Sequence, residues 1–284
     1  MVLPPLSQVE RMQRVLQMLE TRDSVHVAEL AQTFSVSAVT VRNDLSQLAR
    51  QGLVARVRGG VRPLQRGESE LGFDLRLRVE VDRKKAIARA AAALVGEGEA
   101  IALDASTTAY YLALELRAKR ELVIVTNGIV VAASLADVPG VSVLVTGGML
   151  RLSAMSLVGD LGADLLRTTR ITKGFLGAGG VSLDRGLMDL NPDEVRIKQE
   201  MAAACEQVIG IVDGTKWHRS ALLSFAPSDG VHAIVTDESA PAEQVEAWRA
   251  RGTQVTVAKV VHGERSSVRR VDLRRTPPTN GGER

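Results

Sequence analysis

Aromatic side chains are scarce in this sequence: 284 residues hold four Phe, two Tyr and two Trp, only 3%. Hydrophobic residues still make up 45%, so any core must be aliphatic. Cys205 is the single cysteine, which excludes an internal disulfide and points to a reducing compartment. Long apolar runs are missing. The stretch Leu122–Leu135 is broken by Thr126-Asn127-Gly128 and is too short to span a bilayer. The start, Met1-Val2-Leu3-Pro4-Pro5, lacks the basic-then-apolar layout of a signal peptide. A cytoplasmic protein with no membrane contact is expected. The four histidines, His26, His218, His232 and His262, lack metal-ligand spacing, and no GxGxxG or P-loop pattern occurs. No metal, dinucleotide or ATP cofactor is expected. His218 and the two tryptophans, Trp217 and Trp248, are ordinary packing candidates.

Net charge is only +3, but it is unevenly spread. Residues 1–62 carry eight arginines against five acids, and residues 263–284 carry six against three. The 200 residues between are slightly acidic. A basic head on an acidic body suits a polyanion-binding module joined to a domain with another task.

The head reads as three helices and a wing. Ser7-Gln8-Val9-Glu10 is a capping-box pattern, followed by Met12, Val15, Leu16 and Leu19 at helical spacing. Val25-His26-Val27 is a short strand candidate, and Ala28–Phe34 a second helix with Leu30, Ala31 and Phe34 inward. Ser37 can cap a third helix that runs to about Arg50 and ends by Gly52. Val41, Leu45 and Leu48 give this helix a core face. Its other face shows Ser37, Ala38, Thr40, Arg42, Asn43, Ser46 and Gln47, short polar groups suited to base edges in a major groove. Residues 53–62 alternate, with Ala55 and Val57 on one side, Arg56 and Arg58 on the other, and a turn at Gly59-Gly60. The arginines of such a wing can meet phosphates. A purely structural three-helix cap has the same periodicity.

Residues 63–80 read as a linker, and the body, 81–262, alternates strand and helix patterns. Strands are expected at Ala100–Asp104, Leu122–Asn127, Val141–Thr146, Gly174–Ala178, Val208–Asp213, Ala233–Asp237 and Val255–Val260. The runs are apolar throughout, as in a parallel sheet covered on both faces. They end in small polar residues and glycines: Asp104, Asn127, Gly147-Gly148, Asp213 and Asp237. Such ends line the ligand crevice of an open α/β sheet. Ser106-Thr107-Thr108 can hold a phosphate at a helix start, or simply cap it. Gly179 and Gly180 can let backbone approach a ligand. Glu194 and Lys198 have the spacing of a solvated helical ion pair, and Asp213-Gly214-Thr215-Lys216 that of a surface turn or of a site for a sugar and a phosphate.

Together, Val36-Ser37, Thr40, Arg42, Asp44-Leu45, Leu48, Gly52, Arg56 and Gly59-Gly60 resemble the signature of the DeoR family of bacterial repressors. Asn43 and Thr172 depart from its usual residues. Asp104–Thr108, Thr126-Asn127, Gly147-Gly148, Ser156 with Gly159, Phe175–Gly180, Asn191 with Glu194 and Lys198, and Asp213 with Lys216 resemble that family's sensor domain, which is similar to ribose-5-phosphate isomerase. The resemblance implies a double-stranded DNA operator and a sugar-phosphate effector. Ser106–Thr108 and Lys216 would lie near its phosphate; Asp104, Asn127 and Glu194 would lie near its sugar. It also implies repression relieved by the effector. One winged helix covers only a half-site, so a homodimer or homotetramer is expected. An isomerase with Glu194 as base, carrying a DNA-binding head, is the alternative, although no Asp-Glu pair stands near Gly177–Gly180. The basic tail, 263–284, is expected to be disordered.

Overall fold

The computed structural model describes residues 6, 8–20, 22–50, 54–63, 72–217, 219 and 221–261. Ser7, Gly52, residues 64–71 of the expected linker, His218, His262 and the basic tail lie outside these residues.

The head comprises α1 (Gln8–Glu20), β1 (Val25–His26), α2 (Val27–Phe34), α3 (Ala38–Arg50), β2 (Val54–Val57) and β3 (Gly60–Pro63). Met12, Val15, Leu19, Leu30, Phe34, Val41, Leu45 and Leu48 meet in one largely aliphatic core. Ser35 closes α2 at φ 53°, and the Val36 amide returns to the Ala31 carbonyl at 3.1 Å, which forms the turn into α3. Ser37 caps α3 by accepting the Thr40 amide at 3.1 Å. The wing turns one residue earlier than its glycine pair suggested. Val57 pairs with Gly60, so Arg58-Gly59 is the two-residue loop, with Gly59 at φ 81°. Gly60 instead lies on the strand beside β1, where a Cβ would stand 2.1 Å from the Val25 carbonyl oxygen. Val54 and Val61 fill the core beneath the wing, while Ala55 and Val57 are only half-buried.

A buried ion pair joins α1 to α3. Arg11 Nε lies 2.8 Å from Asp44 Oδ2, and Gln8 adds a bond of 3.0 Å to Oδ1.

The body is built on β4 (Ala100–Leu103), β5 (Leu122–Thr126), β6 (Val141–Val145), β9 (Ile171–Leu176), β12 (Cys205–Ile211), β14 (Ala233–Asp237) and β15 (Gln254–Ala258). These are the seven expected strands, with β9 and β12 beginning earlier than their apolar runs. All pair in parallel, in the order β15-β14-β12-β9-β4-β5-β6. Successive residues point to opposite faces. Ile101, Leu103, Ile124 and Phe175 meet α5 (Val81–Ala92), α6 (Thr107–Leu116) and α7 (Ile129–Leu135) on one face. Ala102, Val125 and Leu176 meet α8 (Asp160–Arg167), α9 (Pro192–Ala203) and α10 (Ala242–Ala250) on the other.

Five short strands were not legible: the hairpin of β7 (Met149–Arg151) and β8 (Ser156–Val158), and a small sheet of β10 (Gly180–Ser182), β11 (Gly186–Asp189) and β13 (Leu223–Ala226). With three or four residues each, they are too short for a periodic signal. The expected linker also contains structure. Phe73–Arg78 forms α4, with Phe73 and Leu75 buried.

Among the described residues no helix is long and apolar enough to cross a membrane. Removing one partner of a buried ion pair strands the other charge, so Asp44→Ala should destabilise the protein by about 3–5 kcal/mol. Urea unfolding followed by circular dichroism measures this, and an Arg11→Met/Asp44→Leu double variant should recover most of the loss.

Candidate functional site

Two surfaces gather the residues singled out in the sequence. On α3, Arg42 and Asn43 are exposed, as is Ser37 at its cap, while Ala38, Thr40, Ser46 and Gln47 are half-buried. Thr40 Oγ1 lies 2.8 Å from Ser37 Oγ, and Ser46 Oγ donates to the Arg42 carbonyl at 2.6 Å, so these hydroxyls are locally engaged. Val39 is the residue sequence reading missed. It is 62% exposed and shares one helical stripe with Arg42, Asn43 and Ser46. An apolar side chain presented to water on such a stripe suits contact with a thymine methyl. Its signal was an apolar residue off the core period. Arg56 and Arg58 are exposed on the wing, Arg58 at its tip.

The second surface follows from strand order. After β6 the chain crosses to the far side of β4, so the topological switch lies between β4 and β9, where open α/β sheets form a crevice. Asp104, fully buried, spans this point: its carboxylate accepts the Ser106 amide at 3.2 Å and the Gly177 amide at 3.0 Å. Ser106 caps α6 through the Ala109 amide. The first-turn amides of Thr107 and Thr108 have no intrahelical partner, as at any helix start. Gly177 must be glycine because a Cβ there would stand 2.5 Å from Ser106 Cβ.

Lys198 enters from α9. Its Nζ lies 2.7 Å from Asp189 Oδ2 and 3.0 Å from Asp104 Oδ2, and donates to the Gly177 carbonyl at 3.0 Å. Burial works against the charge, but Asp189, Asp104 and Glu194 outweigh it and raise the lysine's pKa. Burial likewise opposes ionisation of Asp189, and Lys198 overrides it and keeps that carboxyl below its ordinary value. The expected solvated ion pair of Glu194 and Lys198 is therefore not there. Both side chains are buried, and Glu194 faces Ser156, which donates to its Oε1, and Arg151, 3.2 Å from the same oxygen. Helical spacing alone could not foresee that the sheet would cover this face. Asn191 caps α9, accepting the Asp193 and Glu194 amides at 3.0 and 3.1 Å.

Asn127, fully buried at the end of β5, donates to the Leu157 carbonyl at 3.3 Å. Among the described residues its Oδ1 has no hydrogen-bond partner. Asp213 caps the turn Gly214–Lys216, accepting the Thr215 amide at 3.0 Å, while Lys216 stands half-buried beyond it. Burial pushes Lys216 below its ordinary pKa, against the pull of Asp213. Burial also pushes Lys84 down to about 7, with Asp213 opposing and Lys216 and Arg76 reinforcing the fall.

The glycines divide differently from expectation. Gly148 and Gly180 admit neighbouring carbonyls, of Val158 and Arg219, each 2.3 Å from a would-be Cβ, rather than opening backbone to a ligand. Gly179 pairs with Met188, and Gly147 lies at the end of β6 with φ 79°. Thr172 is remote, bonded to the Ala100 carbonyl at the opposite end of the sheet. There, a cavity of about 490 Å3 lies among His232, Arg251 and Gln254, with none of the candidate residues in its lining. Trp217 and Trp248 are core residues.

The DeoR C terminal sensor domain matches residues 79–238, and the DeoR-like helix-turn-helix domain matches residues 11–66. The chain belongs to the DeoR family. The HTH-type transcriptional regulator GolR of Listeria innocua is 32% identical over 88% of this chain and 98% of its own. The Glycerol-3-phosphate regulon repressor of Escherichia coli K12 is 29% identical over 83% and 93%. Ribose 5 phosphate isomerase A from Neisseria gonorrhoeae shares 18% identity over 50% of this chain and 54% of its own, with a TM-score of 0.35, too low to carry an argument. A DeoR chain is a DNA-binding transcription regulator, and the isomerase alternative has no support among these relatives.

Sequence reading of this DeoR chain missed Asp189, Arg151 and Lys84. Asp189 sits on a strand too short to detect, and Lys84 looks like one of several surface cations in Arg83-Lys84-Lys85.

Two outcomes test this geometry. Gly177→Ala should push Ser106 aside and cost about 1–3 kcal/mol, read as a lower thermal midpoint. Lys84 binds fewer protons folded than unfolded between pH 7 and its ordinary value, so its contribution to stability rises with pH across that range, by at most about 1.4 kcal/mol per unit. Cys205 and Tyr111, each pushed up to about 12 by burial, act oppositely from about pH 9 upward. Lys216, also depressed by burial, acts in the same direction, so denaturation at pH 7 to 9 should show a rise that Lys84→Met reduces.

Proposed function

We propose that this DeoR regulator is a repressor of carbohydrate genes whose crevice at the β4–β9 switch point takes a small phosphorylated sugar or polyol. The observation that carries the reading is Asn127 Oδ1, shut off from water at the end of β5 with no hydrogen-bond partner among the described residues. A buried amide oxygen left unpaired is costly, and a sugar hydroxyl would satisfy it. Asp104 and Glu194 supply further acceptors nearby in the fold. Lys216 and the start of α6 supply a desolvated cation and backbone amides for the phosphate. Gly147, Gly148, Gly179 and Gly180 shape the surrounding turns. A relative named for glycerol 3-phosphate is consistent with a ligand of this size.

On the DNA side, Ser37, Ala38, Val39, Thr40, Arg42, Asn43 and Gln47 of the α3 region meet base edges, and Arg56 and Arg58 meet phosphates. One head covers one half-site, so a homodimer or homotetramer acting in the cytoplasm completes the reading.

Fluorescence anisotropy on DNA from upstream of the protein's own gene, with and without a sugar-phosphate panel, tests both surfaces. Arg42→Ala should weaken binding by about 1–3 kcal/mol. Lys216→Ala should bind DNA normally and ignore the compound that releases the wild type. A Lys216→Ala protein that still responds would place the crevice elsewhere.

A further inference from the structure

The short helix α4 touches both halves of the molecule. Toward the body, the Phe73 amide donates to the Ser153 carbonyl at 2.7 Å, and its ring meets Tyr110 edge-on at 6.2 Å. The Tyr111 hydroxyl donates to the Leu77 carbonyl at 3.0 Å. Lys84 Nζ closes the far end, donating to the carbonyls of Val79, at 2.6 Å, and of Arg76. Toward the head, Leu75 is 7% exposed and belongs to the same core cluster as Met12, Val15 and Leu19. Six residues cannot hold a helix in water, so the position of α4 is set by these attachments.

The next side chain, Arg76, is half-buried. Its Nε and Nη2 are closed to solvent, and its charge is felt by Asp189, Lys84 and Lys216. Three cations thus converge from α4, α5 and the Asp213 turn, and two of them are depressed by burial. An anion placed among them would offset their repulsion.

We propose that α4 is the coupling element: Arg76 contacts the effector's anionic group, and Leu75 carries the resulting shift of α4 into the core of the DNA-binding head. This rests on the crevice reading above and adds to it a ligand from outside the strand ends and a route to the DNA. The two sites are linked by a packed element whose position both bias, which is what coupling requires.

Hydrogen exchange of the full chain, with inorganic phosphate or with potassium chloride at equal ionic strength, tests it. Phosphate should slow exchange in peptides covering 104–108 and 213–217, and should change it at 73–79 and in α3 by roughly fivefold or more. In Leu75→Ala the crevice should still be protected and the change in α3 lost. If that variant's head is unfolded before phosphate is added, Tyr111→Phe decides, with crevice protection kept and the α3 response reduced. Protection of the wild-type crevice with no change at 73–79 or in α3 overturns the coupling and leaves the site intact. An α3 response undiminished in both variants overturns it too. No protection at the crevice overturns the site reading, and the coupling with it.

Discussion

Lys198 is the constraint on which the body depends. A lysine enclosed by protein stays charged only with carboxylates placed around it. Asp104 comes from the end of β4 and Asp189 from β11, and the Gly177 carbonyl comes from the end of β9. Three separated pieces of chain must therefore converge at the topological switch point. Asp104 repeats the requirement from the other side, since its remaining lone pairs bind the amides of Ser106 and Gly177. The start of α6 and the end of β9 are held in contact closer than any side chain on Gly177 would permit. Neutralising one charge thus ties β11 and the ends of β4 and β9 together at the switch point.

The head solves a smaller version of the same problem. Asp44 lies on the inward side of α3 and is matched by Arg11, while Val39 and Arg42 lie outward. The pair orients the helix about its axis and so decides which residues face solvent. The core beneath is aliphatic and smooth, and specifies orientation less sharply than a directional ion pair does.

With few aromatics, the body takes its order from alternation along the strands. Helices cover both faces of the sheet, and its polar groups are left at the strand ends and on the turns beyond. Aromatics do cluster where α4 docks against α6: Tyr110 meets Phe73 and Tyr111 edge-on. Two separate cores are joined there by a helix of six residues, with Phe73 in one and Leu75 in the other.

The seven parallel strands, the three helices of the head and the polar strand ends were legible because each repeats a local rule. Apolar runs mark strands buried on both faces, and a 3.6-residue period marks helices packed on one. The short strands β7, β8, β10, β11 and β13, and α4, carried no such signal. Their residues take shape only against neighbours distant in sequence. The same reason separates the candidates that could be foreseen from those that could not. Asp104, Asn127, Asp213 and Lys216 stand next to strand ends, so the sequence alone determined their place at one edge of the sheet. That Glu194 and Lys198 are buried, that Arg151 and Asp189 join them, that Lys84 is buried against the end of α4, and that the wing turns at Arg58-Gly59 were decided only by tertiary structure. Burial of a charge depends on which distant carboxylates fold against it, and no local spacing contains that information.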